Sequence, residues 1–351
     1  MDFGDLTDCL PDSSGELTYK VLTEEDVLLE KLKEIEPVVR LVVQSSEELF
    51  SVANNKRGNI TLQATHLGKR LLKALKNGSG EFHCYFPLYE LNPYVALLFE
   101  CADRFDSILV LSSTTKLAPS EIEGEVVILN NLVDLLRVEG ARHGFKAIIK
   151  KFVRAENKRA KSLDQYIDAL FEKHSRMVVI RVDLSYRSGF FLDRTNLNAD
   201  LAQVTAHWTK LRQDLHIGQP IEGMLGFSCK LEYGHHKGFH FHLLIFYSGA
   251  KYREDVVLAD LIGEHWAQNV TSGSGMYYNC NKKKNEYQFP GIGVLNWFDK
   301  NLISNLKSKV AAYLVKTDYW LRLSAGSARS FFRGNMPKLE SVKRGRPRDV
   351  I

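Results

Sequence analysis

The chain has 351 residues, 44% of them hydrophobic and 25% charged, which is the balance of a soluble protein with room for two cores. No apolar run approaches the 18 residues of a membrane span, and the acidic start MDFGDLTDCLPDSSGELTYK has no basic-then-apolar leader, so neither a membrane partner nor a secretory signal is expected. Cys9, Cys84, Cys101, Cys229 and Cys280 are scattered without a CxxC pair, which fits a reducing cytoplasm better than a disulfide framework.

The net charge of +5 is unevenly spread: residues 1–50 carry 13 acidic and 4 basic side chains, so the remainder carries +14. An acidic leader before a basic body suits a polyanion binder, although a solvated surface with an acidic tail would read the same way.

In chain order, residues 1–20 read as a disordered acidic leader. Residues 23–53 have a helical apolar pattern, with Thr23 and Asp26 resembling a capping box, and a second helix is expected over residues 62–76. Residues 21–140 form a mixed, mainly helical region without readable chemistry, and residues 141–165 a basic linker or helix. From there the order sharpens: a strand over 176–187, a helix over 198–216, two strands over 224–233 and 239–247 joined by Gly234-His-His-Lys-Gly238, and a helix over 255–268. Irregular strands follow over 271–300, and then a helix over 302–323 with Leu306, Val310 and Leu314 turned inward. This order implies an α+β domain over residues 166–332, one antiparallel sheet with helices on one side, followed by a basic flexible tail over 333–351.

Two groups of residues could carry chemistry. His240 and His242 alternate with apolar residues on the second hairpin strand and so share a face. If the hairpin closes over residues 233–239, Glu232 lies opposite His240 on that same face. Two nitrogens and a carboxylate with open positions suit Mg²⁺ or Mn²⁺ acting on a phosphodiester. The plain alternative is a pair of hydrogen-bonded strand histidines; a zinc site drawing on His235, His236 and Cys229 or Cys280 lacks the usual paired spacings. On the late helix, Tyr313 and Lys316 are one turn apart, and Lys309 precedes them on that face. A tyrosine, with a pKa near 10, becomes a useful nucleophile where a metal withdraws charge from the target phosphate and a lysine stabilises the extra negative charge.

The order strand, Glu…His-x-His and Tyr-x-x-Lys resembles HUH endonucleases, the rolling-circle initiators and relaxases. More closely, residues 171–348 resemble the inovirus gene II-type replication proteins and the YagK/YfjJ C-terminal domain. The resemblance is carried by YIDALFEKHSRMVVIRVDLSY, KLEYGHHKGFHFHLLIFYSG, IGEHWAQNVTSGSGMYYNCN, VAAYLVKTDYW and the closing RGRPR. It implies an HUH-type, ferredoxin- or RRM-like sheet, with His240, His242 and Glu232 as metal ligands, Tyr313 as nucleophile and Lys316 as its helper. It further implies a cytoplasmic enzyme that nicks single-stranded or extruded DNA and hands a 3′-OH to the host replication machinery. Lys230, Lys237 and Lys309, with Arg344, Arg346 and Arg348 of the tail, are the candidates for holding the DNA backbone. Position 317 is Thr, so the paired tyrosines of some phage initiators are missing, which implies a single-tyrosine enzyme. An inactive DNA-binding regulator, or a mobilisation relaxase or transposase, would share these features.

Overall fold

The computed structural model describes residues 24–55, 58–76, 79–105, 118–188, 190–191, 197–234, 237–316, 321–323 and 329–338. The acidic leader, Thr23, His235, His236 and the tail arginines Arg344, Arg346 and Arg348 lie outside them.

The N-terminal region builds its own core from α1 (Glu24–Gln44), a hairpin of β1 (Phe50–Asn54) and β2 (Ile60–Ala64), α2 (His66–Leu75), α3 (Ser79–Tyr85), β3 (Tyr89–Leu91), α4 (Pro93–Ala102) and α5 (Pro119–Ala141). The apolar stripe of α1 (Leu28, Leu32, Ile35, Val39, Val42) packs on Leu129, Leu132, Val133 and Leu136 of α5. The first helix ends nine residues earlier than its 23–53 pattern suggested. Arg137 of α5 closes that end, its guanidinium donating to the Glu47 carbonyl at 2.6 Å and to the Val42 carbonyl at 3.4 Å. Phe50 then starts a strand. The second helix also starts later than its expected 62, because Thr65 is its N-cap and its hydroxyl accepts from the Gly68 N–H at 3.1 Å.

The basic stretch is part of one long helix, α6 (His143–Lys173). Its first turns are mostly exposed, while Leu163, Tyr166, Ile167 and Leu170 pack beneath the main sheet. That sheet is built from β4 (Arg176–Tyr186), β5 (Met224–Gly234), β6 (Gly238–Ser248), β7 (Gly275–Asn279), β8 (Gly293–Asn296) and β10 (Phe331–Arg333), all pairings antiparallel. The order runs β10-β5-β6-β4, and β7 and β8 share the outer edge of β4 at its two ends.

Helices cover both faces of this sheet, not one. On one face, α7 (Leu197–His216) and α8 (Asp255–Glu264), with the π turn His265–Val270, bury Trp208, Leu211, Ile262 and Trp266 against Val182, Leu231, Phe241 and Leu243. On the other, α6 and the late helix meet Val179, Leu244 and Phe246. The hairpin strands are apolar on both sides because both sides are covered.

The late helix is shorter than residues 302–323. It consists of α9 (Lys300–Asn305), a π turn (Leu306–Ala311) and α10 (Ala312–Lys316), and residues 321–323 are instead a strand, β9 (Leu321–Leu323), paired with β3 of the N-terminal region. Leu306, Val310 and Leu314 do face inward. Among the described residues no helix is long and apolar enough to cross a membrane.

The outer edge of β5 is satisfied in sequence. Ser228–Lys230 pair with β10, and the Leu231 N–H donates to the Ser330 carbonyl at 2.7 Å. Beyond β10, the Tyr89 hydroxyl accepts from the Tyr233 N–H at 2.8 Å and donates to the Tyr233 carbonyl at 3.0 Å. One side chain of the N-terminal region thus finishes the ladder beside Glu232. Tyr89→Phe removes both bonds and leaves two backbone groups short of partners, so it should lower unfolding free energy by about 1–3 kcal/mol in urea titrations. A change within error would show that the latch does not hold the regions together.

Candidate metal centre

The pairing of β5 with β6 sets Glu232 opposite His240 and Lys230 opposite His242, so all four side chains emerge on one face of the sheet. The pairing of β4 with β6 sets Asp183 opposite His242, and Arg181 lies two residues before it on that face. The polar end of this face meets an apolar end of Val179, Leu244 and Phe246, and α10 lies across the boundary.

Glu232, His240 and His242 bring one ligand atom each to within 4.8 Å of one another. Glu232 Oε2 lies 3.4 Å from His242 Nε2 and 3.7 Å from His240 Nε2. The other nitrogen of each ring is tied back. His240 Nδ1 donates to the Gly238 carbonyl at 3.1 Å, and since a carbonyl only accepts, the tautomer is fixed. His242 Nδ1 lies 2.8 Å from Asp183 Oδ1. Both rings therefore turn Nε2 toward the Glu232 carboxylate. His242 is 1% exposed, and its Nε2 makes no hydrogen bond among the described residues. A buried nitrogen without a hydrogen bond, a second imidazole and a carboxylate at this spacing fit a metal ion, with the carboxylate and carbonyl behind the rings as outer supports.

The electrostatics belong to the cluster as a whole. Burial disfavours a charged His242, but the carboxylates of Asp183 and Glu232 outweigh it and raise the imidazole to about 10. Burial likewise opposes ionisation of Asp183, and Arg181 and His242 overcome it, holding the carboxyl well below its usual range. Glu232 is depressed too, against burial, by the approach of both imidazoles.

The late helix adds Tyr313. Its ring meets His242 edge-on with centroids 5.2 Å apart, and the Arg181 guanidinium carbon is 5.2 Å from its ring centroid. The Tyr313 ring thus touches one member of the imidazole pair, His242. The Lys309 ammonium is seated elsewhere, 4.2 Å from the Phe289 ring centroid. Lys230 is not a surface cation. It is 1% exposed, with Nζ 3.4 Å from Ser330 Oγ, because both faces of the sheet are covered. Lys237 is half-buried in the hairpin loop. Lys316 closes α10, and its side chain lies outside the described set, as do Arg344, Arg346 and Arg348.

Sequence reading does not single out Arg181 and Asp183. Their signal is an Arg-x-Asp pair in period two within the apolar run VVIRVDLSY, two charges on one face of a central strand.

A sheet of this topology, with two histidines and an acid on its middle hairpin and a tyrosine helix across them, defines an α+β protein with a candidate metal centre. The family model of the YagK/YfjJ C-terminal domain matches residues 142–318, and the chain belongs to that family. No curated protein and no solved structure matches the chain.

Two outcomes follow. In the ion-free protein, His242 contributes stability that is complete below about pH 6.5 and is lost as pH rises through about 10, whereas Asp183 and Glu232 contribute above about pH 4 and fade on acidification. A bound ion must displace the His242 proton. Manganese should therefore raise the melting temperature more at pH 8.5 than at pH 6.5, and equal shifts would refute this centre. Asp183→Asn should weaken manganese binding by about 10–100-fold in calorimetry while Glu232, His240 and His242 stay in place.

Proposed function

We propose that the chain is a metal-dependent DNA nickase of the HUH type, in which Tyr313 breaks one strand to begin rolling-circle replication. The observation that carries this reading is the contact of Tyr313 with His242, which sets a phenol against the centre of Glu232, His240 and His242. A divalent ion held by these residues, magnesium or manganese by the chemistry of two nitrogens and a carboxylate, would supply Lewis acidity to a phosphodiester oxygen.

The chain's own residues supply the rest. The Tyr313 phenol oxygen bonds to phosphorus, the bond from phosphorus to the 3′ oxygen breaks, and the phenol proton ends on that oxygen. The products are a 5′-phosphotyrosine link and a free 3′-OH, and no water is consumed. Asp183 keeps the His242 ring in one orientation throughout. Lys316, one turn after Tyr313, is the helper by resemblance, and the basic first half of α6 offers lysines and arginines to the DNA backbone. The reacting phosphate must sit in single-stranded or extruded DNA, since a duplex would hold it away from a half-buried tyrosine.

The test is incubation with labelled single-stranded oligonucleotides and Mn²⁺, followed by a denaturing gel. Wild type should form a covalent adduct. Tyr313→Phe should form none while binding the oligonucleotide within about 3-fold of wild type, since it loses only a hydroxyl. An adduct from the variant would assign the nucleophile elsewhere. DNA binding without any adduct from wild type would favour the inactive regulator.

A further inference from the structure

The nickase reading leaves Arg181 without a task, yet its surroundings are unusual. The side chain is 4% exposed, on a central strand. Nε lies 3.3 Å from Asp183 Oδ1. Nη2 faces His242 Nδ1 at 3.5 Å, but that nitrogen already gives its proton to Asp183, so two donors meet there and no good hydrogen bond results. Nη1 is buried with no hydrogen-bond partner among the described residues. A guanidinium has five donors and no acceptor, and burying them unpaired is costly. Asp183 cannot satisfy it alone, because it is shared with His242. The Tyr313 ring adds only its π face.

We propose that Arg181 is a catalytic residue that binds the reacting phosphate: Nη1 donates to a non-bridging phosphate oxygen while the guanidinium, lying against the Tyr313 ring, stabilises the phenolate as it forms. The ligand class is a phosphate mono- or diester anion. Its assignment to the scissile phosphate rests on the nickase reading. A planar cation with a free edge suits a phosphate oxygen better than an ammonium would. Its position explains why a cation occupies the core face of a sheet: Asp183 takes its Nε, and a substrate anion would take Nη1. The positive charge already stands beside the ring whose phenol ionises.

The experiment is a cycle between Arg181→Lys and the substrate. Adduct formation is timed with a normal scissile phosphate and with each methylphosphonate diastereomer at that position, in Mn²⁺. With the phosphodiester, Arg181→Lys should slow the reaction by about 100-fold, with manganese affinity within about 3-fold of wild type. With the diastereomer whose methyl replaces the oxygen facing Nη1, the variant should lose almost nothing further. An undiminished loss with both diastereomers would overturn the proposal.

If wild type forms no adduct at all, the nickase reading fails, and inorganic phosphate then decides the anion site. A phosphate-dependent rise in melting temperature seen in wild type and lost in Arg181→Lys upholds it, and no rise in wild type ends it. Should Arg181→Lys fail to fold, Arg181→Gln replaces it. Should both fail, wild-type crystals soaked in phosphate must show an anion oxygen within hydrogen-bonding distance of Nη1, and density elsewhere or nowhere would overturn the assignment.

Discussion

The shared carboxylate of Asp183 organises the centre of this protein. It takes the Nδ1 proton of His242 and the Nε of Arg181 at once, and both partners are almost wholly buried. Removing one member of such a group would leave the others charged and unpaired in a poorly solvated space. That mutual dependence fixes the ring angle of His242, which in turn fixes where its Nε2 looks and how close it comes to Glu232. The strand register is the mechanical source of this precision. Asp183 faces His242 and Glu232 faces His240 across neighbouring ladders, so a slip of one residue would send half the group to the opposite face.

Around this group the molecule supplies enclosure. The sheet is covered on both sides, which makes its middle strands apolar and its few polar residues conspicuous. The N-terminal region contributes through β3, which pairs with β9, and through the hydroxyl of Tyr89 at the end of β5. These contacts tie a region of no evident chemistry to the strand that carries Glu232, so stability of the two is linked.

Much of the centre was legible in the sequence. Two histidines in period two after a glycine, with an acid symmetrically placed across the turn, specify a shared face once the hairpin is accepted. The inward stripe of Leu306, Val310 and Leu314 was equally readable. Other features were hidden for physical reasons. The end of α1 and the onset of β1 depend on Arg137, nearly a hundred positions away, and local periodicity cannot see it. Coverage of the second face needs α6, whose charged beginning masks the apolar end at Leu163–Phe171. Arg181 and Asp183 sit in a run that reads as plain core strand, and their meaning emerges only from what stands opposite them. The π winding between α9 and α10 is another feature that residue spacing does not announce.

That winding carries a consequence of its own. Between α9 and α10 the backbone makes a π turn, Leu306–Ala311, and the buried positions follow in steps of four and five: Leu306, Val310 and Ala311, then Leu314 and Val315. On a straight α-helix, at about 100° per residue, Leu306, Val310 and Leu314 would share one face while Ala311 and Val315 fell up to about 180° from Leu306, and the wider winding narrows that spread. The azimuth of Tyr313 is therefore set by one extra residue in the backbone. Loss of a single codon within the turn would swing the phenol about 100° around the helix axis while sparing every side chain of the centre. Such a loss would part Tyr313 from His242 while the sheet and the cluster of Glu232, His240 and His242 stayed as they are, a change that a list of side chains alone would not reveal.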